Sequence, residues 1–231
     1  MKRSKIYKEN CSRYDKYKEY TLEEAVDLLI SFNKVKFDES VDISVNLGVD
    51  PKHAEQIVRG TVSLPNGTGK DVKVVVITKD ESQIKESKDL GAIESGNDEI
   101  IEKIAKGWVD FDVLISTPDM MPALSKLGRV LGPRGLMPNP KIGTVTNDIP
   151  KAVTEVLAGK VEFRVDKNGI INVSVGRASF NKKQLVENIK ICMDSIIKSK
   201  PAAVKGIYFQ KCTVSTTMGP GIRVDKTDLI S

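Results

Sequence analysis

The hydrophobic rhythm of the chain changes twice, and this constrains its fold more than any other feature. Val41, Ile43, Val45, Leu47 and Val49 alternate with polar residues, the period of a strand with one buried and one open face. Alternation returns at Val161, Phe163 and Val165, and again at Ile171, Val173 and Val175, on either side of Lys167-Asn168-Gly169. That arrangement predicts a β-hairpin. Between the alternating segments the pattern is different. Residues 72–78 (VKVVVIT) and 111–116 (FDVLIS) are nearly continuous apolar runs, as in parallel strands covered on both faces. Helical patterns accompany them at 81–90, at 98–106 with Ile100, Ile101 and Ile104 on one face, and at 119–131 with Pro122 in the first turn. A further helix opens at Asp148-Ile149-Pro150, with an acidic N-cap and an early proline, and ends near Gly159.

The flanks carry helices of their own. The first twenty residues read as a polar helix. Thr21-Leu22-Glu23-Glu24 is a capping box, and an amphipathic helix follows it to about Phe32. Residues 57–64 read as a strand. A long helix buries Leu185, Ile189, Cys192, Ile196 and Ile197 and stops before Pro201, and 208–215 is a last strand. Pro65-Asn66-Gly67-Thr68-Gly69 breaks the chain just before the rhythm changes. Neither flank has enough apolar surface to stand alone. The pattern therefore predicts an α/β protein of two domains. Residues 1–67 and 160–231 form a discontinuous α+β domain with a mostly antiparallel sheet. Residues 68–159 form an inserted, parallel, three-layer α/β (Rossmann-like) domain.

Composition removes several function classes. Among 231 residues there is one histidine, His53, so zinc proteases of the HExxH type are excluded. Cys11, Cys192 and Cys212 form no CxxC pair, which argues against a disulfide framework or a cysteine zinc site and for a reducing, cytoplasmic setting. The start is basic but leads into polar residues, unlike a secretory leader. No apolar run reaches the roughly 18 residues of a membrane span. Net charge is +5, and residues 160–231 alone carry 13 basic and 6 acidic residues. That surplus fits either a solvated basic face or a nucleic-acid partner.

No fingerprint of an enzyme stands out. Gly67-Thr68-Gly69-Lys70 lacks the first glycine and the final hydroxyl of a phosphate loop and reads as a turn, and no GxGxxG follows either buried strand. His53 beside Asp50-Pro51-Lys52 reads as a surface residue. The stretch 128–141 packs Arg129, Arg134 and Lys141 among glycines and prolines, which suits either phosphate contacts or a long structural loop. Ser215-Thr216-Thr217-Met218-Gly219 presents hydroxyls at a strand end, suited either to ribose and phosphate contacts or to turn chemistry. Phe37, in Lys36-Phe37-Asp38-Glu39-Ser40, reads first as a cover for the sheet edge. Arg164 and Lys167 lie on the polar side of the expected hairpin and fit a phosphate track. A phosphate-substrate enzyme and a protein scaffold remain as alternatives.

The segments KLGRVLGPRGLMPNPKIGTV (126–145) and VSTTMGPGIRVD (214–225) resemble the bacterial large-subunit ribosomal protein L-one family. So do YTLEEAV, GTGKDVKVVVI, GWVDFDVLISTPDMM, AGKVEFRVDKNGII and KPAAVKG, in the family's order along nearly the whole chain. The resemblance implies the two-domain fold, no enzymatic activity, no cofactor and a ribosome-associated, cytoplasmic protein that is monomeric when free. It implies direct binding to large-subunit rRNA, a role in release of exit-site tRNA, and repression through the mRNA of its own operon. Carried over by position, the RNA face comprises Lys36, Phe37, Glu39, Ser40, Arg164, Lys167, Ser215, Thr217, Met218 and Gly219. Arg129, Arg134 and Lys141 would serve tRNA or a secondary rRNA contact.

Overall fold

A computed structural model describes residues 3–32 and 35–230; Met1 and Lys2 of the basic start lie outside them. In chain order the elements are α1 (Lys5–Cys11), α2 (Leu22–Ser31), β1 (Ser40–Leu47), β2 (Arg59–Ser63), β3 (Val74–Ile77), α3 (Glu81–Asp89), β4 (Glu94–Gly96), α4 (Asp98–Ala105), β5 (Val113–Ser116), α5 (Met121–Ser125), α6 (Gly128–Leu131), α7 (Ile149–Leu157), β6 (Lys160–Arg164), β7 (Ile170–Arg177), α8 (Lys182–Lys198), β8 (Phe209–Thr216), β9 (Ile222–Val224) and α9 (Thr227–Ile230). They form two compact units, Met1–Gly69 with Val161–Ser231, and Lys70–Lys160.

The first unit is built on a four-stranded sheet of order β7-β1-β8-β9, antiparallel at every pairing. Alternation along β1 is strict: Val41, Ile43, Val45 and Leu47 are buried and the residues between them are partly open. The buried face packs on Leu22, Ala25, Val26 and Leu29 of α2 and on Leu185, Ile189, Cys192 and Ile196 of α8. Burial of each of the leucine, isoleucine and valine side chains among these contributes about 1.5–3 kcal/mol. The capping box that starts α2 forms as the sequence requires: Glu24 N–H donates to Thr21 Oγ1 and Thr21 N–H to Glu24 Oε2, both at 3.3 Å.

In the second unit three parallel strands run in the order β4-β3-β5. All four residues of β3 are fully buried, because both faces are covered. Val75 and Ile77 meet Ile100 and Ile104 of α4 on one side, and Val74 and Val76 meet Ile149, Val153 and Val156 of α7 on the other. This is the three-layer parallel arrangement that the continuous apolar runs call for.

Several local expectations are corrected. The expected hairpin does not form as a ladder: β6 pairs with β2 in a separate two-stranded sheet, β7 pairs with β1, and a single bridge joins Val165 to Ile171. Alternation satisfies both arrangements, and main-chain pairing decides between them. Among the described residues up to Tyr20, only Lys5–Cys11 is helical. Tyr14 and Tyr20 draw the rest down to β9, where Tyr14 Oη donates to Gly221 O and Tyr20 N–H to Arg223 O. The helix expected over 119–131 is broken into a 3-10 turn, α5 and α6, with Pro122 in the first turn of α5. Leu124, Leu127 and Leu131, at helical spacing, still share one core across the break. Asp148 precedes α7 but its side chain makes no capping bond. Ile197 is only partly buried, whereas Asn188 and Met193 join the buried stripe of α8.

Candidate nucleic-acid interface

Antiparallel register brings two distant segments together. Ser40, the first residue of β1, lies opposite Arg177 at the end of β7, and Val41 lies opposite Thr216 at the end of β8. Residues 36–40 and 215–219 therefore meet at one end of the sheet. Thr217 N–H donates to Ser40 O at 3.1 Å, Ser40 N–H donates to Thr217 Oγ1 at 3.1 Å, and that hydroxyl donates back to Ser40 O at 3.4 Å. The Thr217 hydroxyl thus already serves the backbone of its neighbour.

Glu39 is buried, at 5% exposure, and its Oε2 accepts the Met218 N–H at 2.9 Å. The carboxylate therefore props the 218 turn from within instead of standing on the outer surface. Beside it lies a cavity of about 20 Å³, bordered by Leu29, Phe32, Val41 and Leu185, the size of one water. Phe37 and Met218, by contrast, are 54% and 58% exposed, so Phe37 does not cover the sheet edge. Lys36 and Thr217 are exposed, and Ser215 is half-buried. Gly219 sits where an added Cβ would collide with the Thr216 hydroxyl.

Arg164 and Lys167 are exposed but stand apart from this cluster. Lys167 belongs to the turn beside Leu47, whose N–H donates to Gly169 O at 2.9 Å. That is the opposite end of β1, roughly 23 Å from Ser40 at ~3.3 Å per residue. Arg164 ends β6, in the separate two-stranded sheet. Between the two ends runs the open face of the four-stranded sheet, where Ser44 Oγ donates to Asn172 Oδ1 at 2.7 Å and Asn46 Nδ2 to Gln210 Oε1 at 3.1 Å.

Arg129, Arg134 and Lys141 belong to the second unit, and all are exposed. Their loop is also structural. Leu131 is fully buried, Asn139 N–H donates to Thr144 Oγ1 at 2.8 Å, and Ser116 N–H donates to Thr144 O at 3.0 Å. The two readings of this stretch are therefore compatible. His53 is exposed with Asp50 3.9 Å away. All three cysteines are free; burial pushes the thiols of Cys192 and Cys212 up to about 12, which leaves them unreactive. Among the described residues no helix is long and apolar enough to cross a membrane.

Sequence reasoning missed the residues that hold the face in place. Asp38 Oδ2 accepts from Ser179 Oγ at 2.8 Å, and Arg177 Nη1 donates to Asp38 O and Ser40 Oγ. These contacts span about 140 positions and leave no local signal.

The family model described as the Ribosomal protein L1p/L10e family matches residues 29–220. The chain belongs to this family. It is 51% identical over 224 residues to the large ribosomal subunit protein uL1 of Syntrophobacter fumaroxidans, covering 97% of this chain and 95% of that protein. To the protein of the same name from Protochlamydia amoebophila it is 50% identical over 222 residues, covering 96% and 94%. It is accordingly a cytoplasmic ribosomal protein and not an enzyme.

Proposed function

We propose that the chain is a component of the large ribosomal subunit that binds its rRNA directly through the discontinuous unit. The observation that carries this reading is the joined end of β1 and β8. There Phe37 and Met218 stand exposed on a backbone fixed by reciprocal hydrogen bonds. Exposed apolar tips on a fixed frame suit stacking on unpaired bases, and the neighbouring hydroxyls suit 2′-OH contacts. Lys36 supplies phosphate contacts at this end, and Lys167 and Arg164 supply them beyond the far end of β1. Glu39 and Gly219 shape the turn that presents Met218. The same surface would bind the mRNA of the protein's own operon, and Arg129, Arg134 and Lys141 of the second unit would meet exit-site tRNA during its release. The free chain is monomeric in this reading.

The test is filter binding of the full chain to large-subunit rRNA, with small-subunit rRNA of equal length as competitor. Phe37→Ala combined with Met218→Ala should weaken specific binding by tenfold or more and leave the fold intact by circular dichroism. Arg129→Ala combined with Arg134→Ala should leave rRNA affinity unchanged. Equal affinity for both RNAs in the wild-type chain would overturn the proposal.

A further inference from the structure

Between the last strand of the first flank and the inserted unit, the chain passes through Asn66-Gly67-Thr68-Gly69, the stretch read from sequence as a plain turn. Asn188, fully buried on α8, holds its start: Nδ2 donates to Gly67 O at 3.0 Å and to Val175 O at 2.8 Å, and Oδ1 accepts the Asn66 N–H at 3.3 Å. Gly69 follows with φ of +67°, lying so close to β7 that an added Cβ would come within 2.8 Å of Arg177 Cγ and 2.9 Å of the Phe180 ring. The stem of Arg177 therefore rests against the crossing segment. Its guanidinium reaches segment 38–40, where Nη1 donates to Asp38 O at 3.2 Å and Ser40 Oγ at 3.1 Å.

We propose that Arg177 is a positioning residue for the nucleic-acid face, fixing segment 38–40 from one end of its side chain while its stem reads the position of Gly69 at the other. The face in question is the one proposed above, and the inference rests on that reading only for its functional consequence. The chain of contacts is continuous. Arg177 holds Ser40 and Asp38, Ala178 N–H donates to Glu39 O at 2.7 Å, Ser40 exchanges hydrogen bonds with Thr217, and Glu39 accepts from Met218. A planar guanidinium suits this work, because its donors reach two acceptors in fixed directions while its methylenes pack. A shift of the crossing segment at Gly69 displaces the stem and with it the only side chain that donates to both Asp38 O and Ser40 Oγ among the described residues. The crossing segment and the face are thereby coupled through one side chain, without any contact between Gly69 and RNA.

The experiment uses the full chain and three variants. Arg177→Met keeps the stem and removes the donors, Arg177→Lys keeps charge and one donor group, and Gly69→Ala pushes the stem. Hydrogen exchange of the Ser40, Ala178, Thr217 and Met218 amides is read on the free protein, and rRNA affinity is read across a salt series. Arg177→Met should speed exchange at these amides by about tenfold, with Val214 unchanged, and weaken rRNA binding by about fivefold with the same salt slope. Arg177→Lys should recover part of both. Gly69→Ala should speed the same amides in the wild-type background and add little when Arg177 is already Met, the non-additivity expected of coupled sites. Unchanged exchange in Arg177→Met overturns the proposal, and because that variant is free of strain the result stands even if Gly69→Ala fails to fold. A salt slope lower by ~0.7–0.9 would make Arg177 a direct phosphate contact and also overturn it. Faster exchange in a chain whose wild type binds no rRNA would uphold the positioning role and refute the RNA reading instead.

Discussion

Replacing Glu39 distinguishes an internal prop from a residue that faces RNA. Its carboxylate is buried and accepts the Met218 N–H at 2.9 Å. A hydrogen bond to a charged acceptor is worth ~1.5–3 kcal/mol net, a neutral one ~0.5–1.5 kcal/mol. Glu39→Leu removes the acceptor within a similar volume, so local opening of the 218 turn should become easier by the larger figure. At ~1.4 kcal/mol per decade that is roughly a 10- to 150-fold faster exchange of the Met218 amide. Glu39→Gln keeps an acceptor oxygen and should speed exchange only a few-fold. The assay is native-state hydrogen exchange followed by NMR, with the amides of β1 as internal controls. RNA affinity should rank in the same order, wild type above Gln above Leu. If Met218 is as protected in Glu39→Leu as in the wild type, the carboxylate is not what holds the turn. If Gln binds RNA more tightly than wild type while its Met218 protection falls, charge repulsion at an RNA-facing carboxylate explains the residue better.

Thr217→Val should weaken rRNA binding by roughly tenfold against a Ser63→Ala control, at ~1.4 kcal/mol per decade. It should also speed exchange of the Ser40 amide, because the hydroxyl accepts from that N–H at 3.1 Å. Gly219→Val should cost about 1–3 kcal/mol in urea unfolding, since its Cβ would meet the Thr216 hydroxyl. Asn188→Leu should cost ~2–4 kcal/mol and open the 66–69 segment to limited proteolysis, because Gly67 O and Val175 O both lose their donor. Asp112 loses to burial but gains more from Lys70 Nζ at 2.6 Å and from the Lys73 N–H, so its carboxyl lies below the usual range. Its stabilising contribution is therefore present above about pH 4 and fades as pH falls further. The wild type should be more stable than Asp112→Asn at neutral pH by chemical unfolding, with the gap closing in acid.

What the sequence made legible is what side-chain burial dictates. Strict alternation in β1 and the unbroken apolar run of β3 each follow from how many faces a strand buries, and both are read without knowledge of partners. The capping box of α2 is equally local. What was not legible is decided by main-chain pairing or by remote contacts. Glu94–Gly96 is a strand only because its backbone pairs with β3, and three residues of mixed polarity carry no period. β6 and β7 look like a hairpin because alternation does not encode which neighbour a strand takes. Glu39 sits in a charged run that looks solvated, and it is buried because a partner 179 positions away brings an N–H to it. Phe37 erred in the other direction, since an aromatic between charges looks like a cover and stands 54% exposed.

The misreadings of Glu39 and Phe37 bear on the proposed function. A surface that recognises the shape of a folded RNA has to be fixed before contact, or ordering it consumes the binding energy. Fixing it demands polar groups that bond each other across the sheet end, so the residues nearest the face are spent on the protein itself: Glu39 on Met218, the Thr217 hydroxyl on Ser40, Arg177 on Asp38. On the proposed reading the groups presented to the partner are the exposed Phe37 and Met218, with Lys36 and the half-buried Ser215 beside them. By residue type alone the hydroxyls and basic residues read as contacts and Phe37 as packing, and only the family resemblance puts Phe37 and Met218 on the RNA face. On the proposed reading these duties are exchanged: Glu39, Thr217 and Arg177 hold the sheet end, and Phe37 and Met218, which stand exposed on it, meet the RNA.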